Sequence, residues 1–293
     1  MQHTIRPRRS VLYMPGSNPR ALEKAKTLAA DGLIFDLEDA VAPDAKDEAR
    51  GLVCAAVAQG GYAEREVIIR VNGLTTPWGR EDIMRAACSG AHALLLPKVE
   101  GAGYIREALS LMDVAGAPQS MAVWCMMETP LGILHAERIA SASPRIGALV
   151  MGTSDLTKDL GARHTIDRIA MSTSLGICVL AARAFDVSIL DGVFLDLRDD
   201  SGFEAACIQG RDMGFDGKTI IHPRQIEPAN SVFGPTAEEV AWARRIIEAH
   251  TEASARGEGV VVVDGKLIEN LHVAEARRTL ALANAIELTT AGS

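Results

Sequence analysis

The chain has no surplus of basic residues: 30 Lys and Arg face 38 Asp and Glu, a formal charge of −8. Nucleic-acid binders usually display a basic face that releases phosphate counterions, so this balance argues against a dedicated nucleic-acid partner. A small anionic substrate stays compatible with it where basic residues converge locally. Cysteine is sparse, with five residues scattered between Cys54 and Cys207. They form no C-x-x-C pair and no Cys/His metal spacing, which excludes a zinc module and reads as reduced thiols in a cytoplasmic protein. No apolar run approaches the ~20 residues of a membrane span. The run at 11–14, behind a basic start, is too brief for the core of a signal peptide. The expectation is a cytoplasmic location with neither membrane nor nucleic acid among the partners. Internal repeats and low-complexity tracts are missing too, as is a G-x-G-x-x-G turn behind the first strand, which argues against a dinucleotide-binding sheet.

What is present is a globular composition, 48% hydrophobic and 23% charged over 293 residues. A single α/β barrel takes about 250 residues, so one barrel with an appendage fits the length. Apolar runs of strand character recur at 9–14, 32–37, 66–71, 91–97, 121–127, 146–151, 187–190 and 218–222. Between them lie segments of helical period at 18–30, 44–58, 78–88, 103–115, 132–141, 166–185 and 202–213. Strands alternating with helices predict a parallel sheet covered on both faces, here an α/β fold of the (β/α)8 TIM-barrel type over residues 1–235. An open doubly wound sheet is the structural rival. Residues 236–293 read as a small C-terminal helical extension: an amphipathic helix at 236–256, a Gly257-Glu258-Gly259 break, a strand at 260–263 turning at Asp264-Gly265, and a helix near 273–287. This tail is too small to fold alone and is expected to pack on the barrel or reach a neighbouring subunit.

Active sites of such barrels gather at the C-terminal ends of the strands, so charges that close apolar runs are informative. Strand two closes with Glu38 and Asp39, strand three with Arg70, strand four with Lys98, strand five with Glu128 and strand six with Asp155. Glu128 and Asp155 stand on adjoining strands, a spacing able to hold a hard, oxygen-seeking cation such as Mg²⁺, with Mn²⁺ as an alternative. Helix capping, or pairing with Arg70 and Lys98, would account for the same carboxylates. Arg70 offers a planar donor to a carboxylate or enolate oxygen and can equally form a salt bridge with Glu38 or Asp39. Glu38 and Asp39 can orient water around a metal from one step further out. His222, closing the last strand, can meet substrate through its ring or its backbone.

The segments Tyr13-Met14-Pro15-Gly16-Ser17-Asn18-Pro19-Arg20, Phe35-Asp36-Leu37-Glu38-Asp39-Ala40-Val41, Arg70-Val71-Asn72, Pro97-Lys98, Met127-Glu128-Thr129-Pro130, Gly152-Thr153-Ser154-Asp155 and Gly217-Lys218-Thr219-Ile220-Ile221-His222-Pro223 resemble, in order and over nearly the whole chain, the citrate-lyase-β-like branch of the HpcH/HpaI aldolase superfamily. The resemblance implies a barrel in which Glu128 and Asp155 bind Mg²⁺, Glu128 also faces the substrate, and Arg70 contacts the acyl oxygens. It implies Glu38 and Asp39 as the acidic pair behind the metal. It further implies a coenzyme A thioester substrate, with Tyr13 and Lys24 toward the nucleotide end and Ile221 and His222 lining the acyl site. Some relatives carry Arg where this chain has Asn18, and Arg20 is then the neighbouring phosphate-binding charge. A carboxylate from the C-terminal segment of an adjacent subunit acts as proton partner in the family, so the chain is expected to form a homo-oligomer, a trimer or a hexamer.

That carboxylate is usually Asp, but the run Gly265-Lys266-Leu267-Ile268-Glu269 carries Glu. A displacement of about 1 Å in a catalytic group can cost about a hundredfold in rate, so the longer side chain can protonate an enolate poorly or direct water at the thioester instead. An unaltered role for Glu269 after a small backbone adjustment is the alternative. The expected substrate is a short hydroxydicarboxylic acyl-CoA such as (S)-malyl-CoA. The reading leans slightly to carbon–carbon cleavage into acetyl-CoA and glyoxylate over thioester hydrolysis into malate and coenzyme A. Citramalyl-CoA cleavage and a citrate lyase β subunit stand behind these, and a metabolite-binding protein without catalysis is the alternative outside enzymes.

Overall fold

Each strand of the barrel is buried along nearly its whole length because helices cover one face and the barrel interior the other. The computed structural model describes residues 6–257 and 260–291, with side chains through 289. In chain order the first unit runs β1 (Ser10–Pro15), α1 (Pro19–Ala25), β2 (Gly32–Asp36), α2 (Lys46–Gln59), β3 (Glu66–Arg70), α3 (Gly79–Ala87), β4 (Ala93–Leu96), α4 (Ala102–Val114), β5 (Ala122–Met127), α5 (Pro130–Leu134), α6 (Ala136–Ala140), β6 (Ile146–Met151), α7 (Thr153–Asp159), α8 (Ser172–Ala184), β7 (Ser188–Asp191), α9 (Asp200–Met213), β8 (Gly217–Ile220) and α10 (Ile226–Phe233). The eight strands pair in parallel in sequence order, and β1 closes on β8 through Ser10–Lys218, Val11–Thr219 and Leu12–Ile220. This is a (β/α)8 TIM barrel.

Period-two alternation sorts the strand residues between two cores. Val11, Ile34, Ile68, Ala93, Leu95, Trp124, Met126, Ala148, Val150 and Leu190 form the barrel interior. Their neighbours Leu33, Ile69, Leu94, Val123, Leu149 and Ile189 pack outward against the helices. Carried two residues further toward the strand C-termini, the inward set becomes Asp36, Arg70 and Glu128. At the opposite end Arg8 plugs the barrel, donating to Glu66 at 2.6 and 2.8 Å and to Ser188 at 2.7 Å, with its guanidinium 5.0 Å from the centroid of Trp124.

Two helices depart from the sequence expectation. The segment expected as one helix over 132–141 is α5 and α6, separated at His135, whose Nδ1 lies 2.8 Å from the Glu100 carbonyl. Residues 166–171, expected as the start of a helix, hold a left-handed Arg168 (φ 51°) and a 3-10 turn before α8 begins at Ser172.

The contacts divide the chain at Gly234, Arg8–Phe233 forming the barrel unit. In the second unit, α11 (Ala237–Ala255) begins at a capping box, Thr236 Oγ1 accepting from the Glu239 N–H while Glu239 accepts from Thr236 N. A hairpin of β9 (Val261–Val263) and β10 (Lys266–Ile268) follows, and α12 (Asn270–Ala291) completes the unit. Asp264 and Gly265 both take positive φ, 50° and 77°, as a two-residue hairpin turn of matching twist requires. Val263, Ile268, Ala243, Ile246, Val273 and Ala276 form this unit's own small core. Glu258 and Gly259 of the expected break lie outside the described residues. Among the described residues no helix is long and apolar enough to cross a membrane.

Candidate active site

Arg70 is the best-held side chain of the barrel mouth. Its Nε and Nη2 donate to Asp36 Oδ1 and Oδ2, both at 2.6 Å, in the two-point geometry that a guanidinium and a carboxylate share. Nη1 lies 3.0 Å from Glu38 Oε2 and 3.3 Å from Asp39 Oδ2, and the guanidinium stands 5.0 Å from the centroid of Tyr13. Burial works against this cation, but Asp36, Tyr13 and Glu38 outweigh it and raise its pKa well above the ordinary arginine value. Asp36, which the sequence reading passed over, is itself saturated: beyond Arg70 it accepts from the N–H groups of Glu38 and Ala40 at 2.8 and 3.0 Å.

The loop after β2 is fixed from below. Lys46 is buried, its ammonium donating to the carbonyls of Leu37 (3.0 Å) and Glu38 (2.8 Å), and Asn72 donates to Leu37 O at 2.9 Å. Asn72 is held in turn by Asp82, which pairs with Arg50 at 2.6 Å. Glu38 is therefore presented on a locked backbone. Its Oε2 is buried without an aligned hydrogen-bond donor, although Arg70 is close, and burial, only partly offset by Arg70, pushes its carboxyl pKa up.

Glu128 follows β5 directly and is 3% exposed. Its Oε1 accepts from the Lys98 N–H at 2.7 Å. Burial, reinforced by the charge of Glu38, pushes its pKa up to about 7 despite that hydrogen bond. A side chain at Gly152 would collide with the Glu128 carboxylate, so glycine is required where β6 meets α7. Asp155 lies in the first turn of α7, not on extended strand, and its Oδ2 is 3.0 Å from Lys98 Nζ. Lys98 Nζ also lies 3.3 Å from Glu38 Oε1. Glu38, Glu128 and Asp155 thus converge on one residue.

The remaining expected site residues divide. Tyr13 is inside the mouth, its hydroxyl directed to Met126 Sδ at 3.3 Å, and burial raises its pKa. Arg20 and Lys24 are exposed on α1. Asn18 is the cap of that helix, its Oδ1 accepting from Arg20 N and Ala21 N at 3.1 and 3.2 Å. At the end of β8, the Ile221 N–H is taken by Gln225 Oε1 (3.0 Å) and His222 Nδ1 accepts from Arg224 N (3.2 Å), which leaves the Ile221 carbonyl and the far ring nitrogen of His222. Lys218 of the same motif points away from the mouth: it is 1% exposed and pairs at 2.7 Å with Asp191, to which Arg168 also donates at 2.7 and 2.8 Å. Glu269 belongs to the second unit, exposed between β10 and α12, its N–H donating to His272 Nδ1 at 3.0 Å.

Fully ionised, the mouth carries five carboxylates, Asp36, Glu38, Asp39, Glu128 and Asp155, against Arg70 and Lys98. Such an excess, all of it hard oxygen, fits a divalent cation. Within it one Glu38 oxygen is buried without an aligned donor, and the Glu128 carboxyl is raised toward neutrality, chiefly by burial and then by the charge of Glu38.

Comparison with known proteins agrees with this architecture. The family described as HpcH/HpaI aldolase/citrate lyase matches residues 9–223. A protein named (3S)-malyl-CoA thioesterase, from Cereibacter sphaeroides, is 52% identical over 286 residues, 98% of each chain. The citrate lyase subunit beta of Escherichia coli K12 is 34% identical, over 96% of this chain and 95% of that one. Among solved structures, the CitE protein of Mycobacterium tuberculosis in complex with magnesium, acetoacetate and coenzyme A superimposes with a TM-score of 0.74 at 28% identity, over 94% of this chain and 97% of that one. The chain belongs to the HpcH/HpaI aldolase/citrate lyase family.

Proposed function

We propose that the chain is an enzyme that hydrolyses (3S)-malyl-CoA, or a close hydroxydicarboxylic acyl-CoA, to the free acid and coenzyme A, with Mg²⁺ held by Glu128 and Asp155. The observation that carries the hydrolytic outcome is the 52% identity, over 98% of both chains, to a protein named for that reaction, against 34% to citrate lyase subunit beta. Sequence alone leans slightly to carbon–carbon cleavage. That second reading retains one support, the Arg70 guanidinium fixed beside the acidic mouth, which suits an enolate oxygen as well as a thioester carbonyl.

The metal reading rests on the donor chemistry of the mouth and on CitE structures solved with magnesium. Bound there, the cation supplies Lewis-acid polarisation of the acyl group. Mn²⁺ offers the same octahedral oxygen preference as an alternative. Arg70, immobilised by Asp36, binds a developing oxyanion without reorganising. Glu38 and Asp39 balance Arg70 and order water at the mouth. The acyl portion meets Arg70, Glu128 and the strand end at Ile221 and His222, and the nucleotide end meets Tyr13, Arg20 and Lys24. Glu269 takes the proton from the attacking water; oxygen adds to the thioester carbon, the C–S bond breaks, and the thiolate leaves to be protonated.

Glu269 comes from a neighbouring subunit in this reading, so the working form is a homo-oligomer, a trimer or hexamer, in which the C-terminal extension of one chain serves the barrel of another. A cytoplasmic location belongs to the same reading, and five free cysteines support it. The test is release of free thiol from (3S)-malyl-CoA by purified protein. Activity should vanish on chelation and return with Mg²⁺; thiol release indifferent to chelation would contradict the metal assignment.

A further inference from the structure

Lys98 combines three features that its position after an apolar strand does not require. Its backbone is left-handed, with φ 49°, a conformation that costs a residue with a Cβ about 1 kcal/mol and persists only where surroundings impose it. Its own N–H donates to Glu128 Oε1 at 2.7 Å. Its ammonium reaches Asp155 Oδ2 at 3.0 Å and Glu38 Oε1 at 3.3 Å. The side chain is 51% exposed, so packing does not confine the ammonium; the carboxylates do.

We propose that the Lys98 ammonium holds the cation position of the mouth in the metal-free chain and withdraws from Asp155 when a divalent cation binds. The inference rests on the reading that Glu128 and Asp155 hold the metal. Without a metal, a tethered monovalent charge between Glu38 and Asp155 offsets both carboxylates, while the N–H of the same residue holds Glu128. The same charge competes with an incoming cation for Asp155 and repels it at short range. Half exposure matters here, because an ammonium facing solvent can swing out on its flexible stem and be rehydrated, whereas the guanidinium of Arg70, locked by Asp36, cannot. The mouth is thus built with one fixed cation for the substrate and one displaceable cation that sets metal affinity.

The backbone N–H on Glu128 survives any substitution of Lys98 except proline, so side-chain charge can be removed without releasing Glu128. Metal binding is measured on the full chain without substrate, by Mn²⁺ electron paramagnetic resonance and by Mg²⁺ calorimetry, for wild type, Lys98→Gln, Lys98→Arg and Glu128→Gln. Lys98→Gln is expected to bind both metals about five- to tenfold more tightly, the worth of two half-exposed ion pairs. Lys98→Arg should stay near wild type, and Glu128→Gln should weaken binding. Should Lys98→Gln fold poorly, Lys98→Asn, which tolerates the left-handed backbone, takes its place. Equal or weaker binding by the uncharged variant, with wild type binding normally, overturns the placeholder role alone. Failure of wild type to bind either metal at millimolar concentration overturns the metal reading beneath it, and the placeholder with it.

Discussion

At Glu128, burial and the neighbouring Glu38 charge raise the carboxyl from 4.5 to about 7, so below about pH 7 the metal-free chain keeps a proton there. A carboxyl that binds its proton more tightly when folded stabilises the fold below its unfolded pKa, and that contribution is lost as pH rises from about 4.5 through about 7. The loss is on the order of 3 kcal/mol. Metal-free wild type should therefore lose thermal stability between pH 5 and 8 relative to Glu128→Gln, and saturating Mg²⁺ should restore it. Parallel melting-temperature profiles for the two proteins would show that Glu128 carries no such proton. Arg70 and Glu128 were legible in the sequence because a charge closing an apolar strand on the inward phase has nowhere to go but the mouth. Asp36 closes β2 on the same inward phase, but its part as the anchor of Arg70 is readable only once the two are seen paired across 34 residues. Lys46 was hidden for a similar reason: a lysine on an amphipathic helix reads as solvated until the carbonyls of Leu37 and Glu38 are seen around its ammonium.

Between β7, β8 and the segment before α8, Asp191 is fully buried with both Arg168 and Lys218 on its carboxylate. Burial opposes its ionisation, but the two cations win and hold its pKa below the ordinary carboxylate value. Asp191→Asn would leave two cations without their shared counter-charge, a loss of about 3–5 kcal/mol measurable by chemical denaturation; a change below 1 kcal/mol would show that water reaches the cluster. The eight strands were legible from apolar runs, each found within about two residues at either end. Two helices were not. α7, with the sequence Thr-Ser-Asp-Leu-Thr-Lys-Asp, buries only Thr153, Leu156 and Thr157, too little for a visible stripe. α10 carries Pro228 in its first turn, where proline is tolerated but reads as a break.

Over the whole molecule, the barrel unit carries Arg70, Glu128 and Asp155, and the second unit carries Glu269. The hairpin before Glu269 turns Val263 and Ile268 into its own core and leaves the cross-strand pair Val262 and Leu267 64% and 54% exposed. An apolar pair beside an exposed carboxylate suits contact with another copy. Mixing Arg70→Ala chains with Glu269→Ala chains should then recover part of the activity that neither has alone, and no recovery after verified subunit exchange would contradict a shared site. What periodicity could not supply was the fate of the acyl group, because in the proposed reading hydrolysis and carbon–carbon cleavage would draw on the same Arg70, Glu128 and Asp155. The decisive measurement is a complete product inventory from (3S)-malyl-CoA and Mg²⁺, following malate, free thiol, acetyl-CoA and glyoxylate in one reaction. Malate and thiol in equal amounts without glyoxylate is the predicted result; acetyl-CoA with equimolar glyoxylate would contradict it.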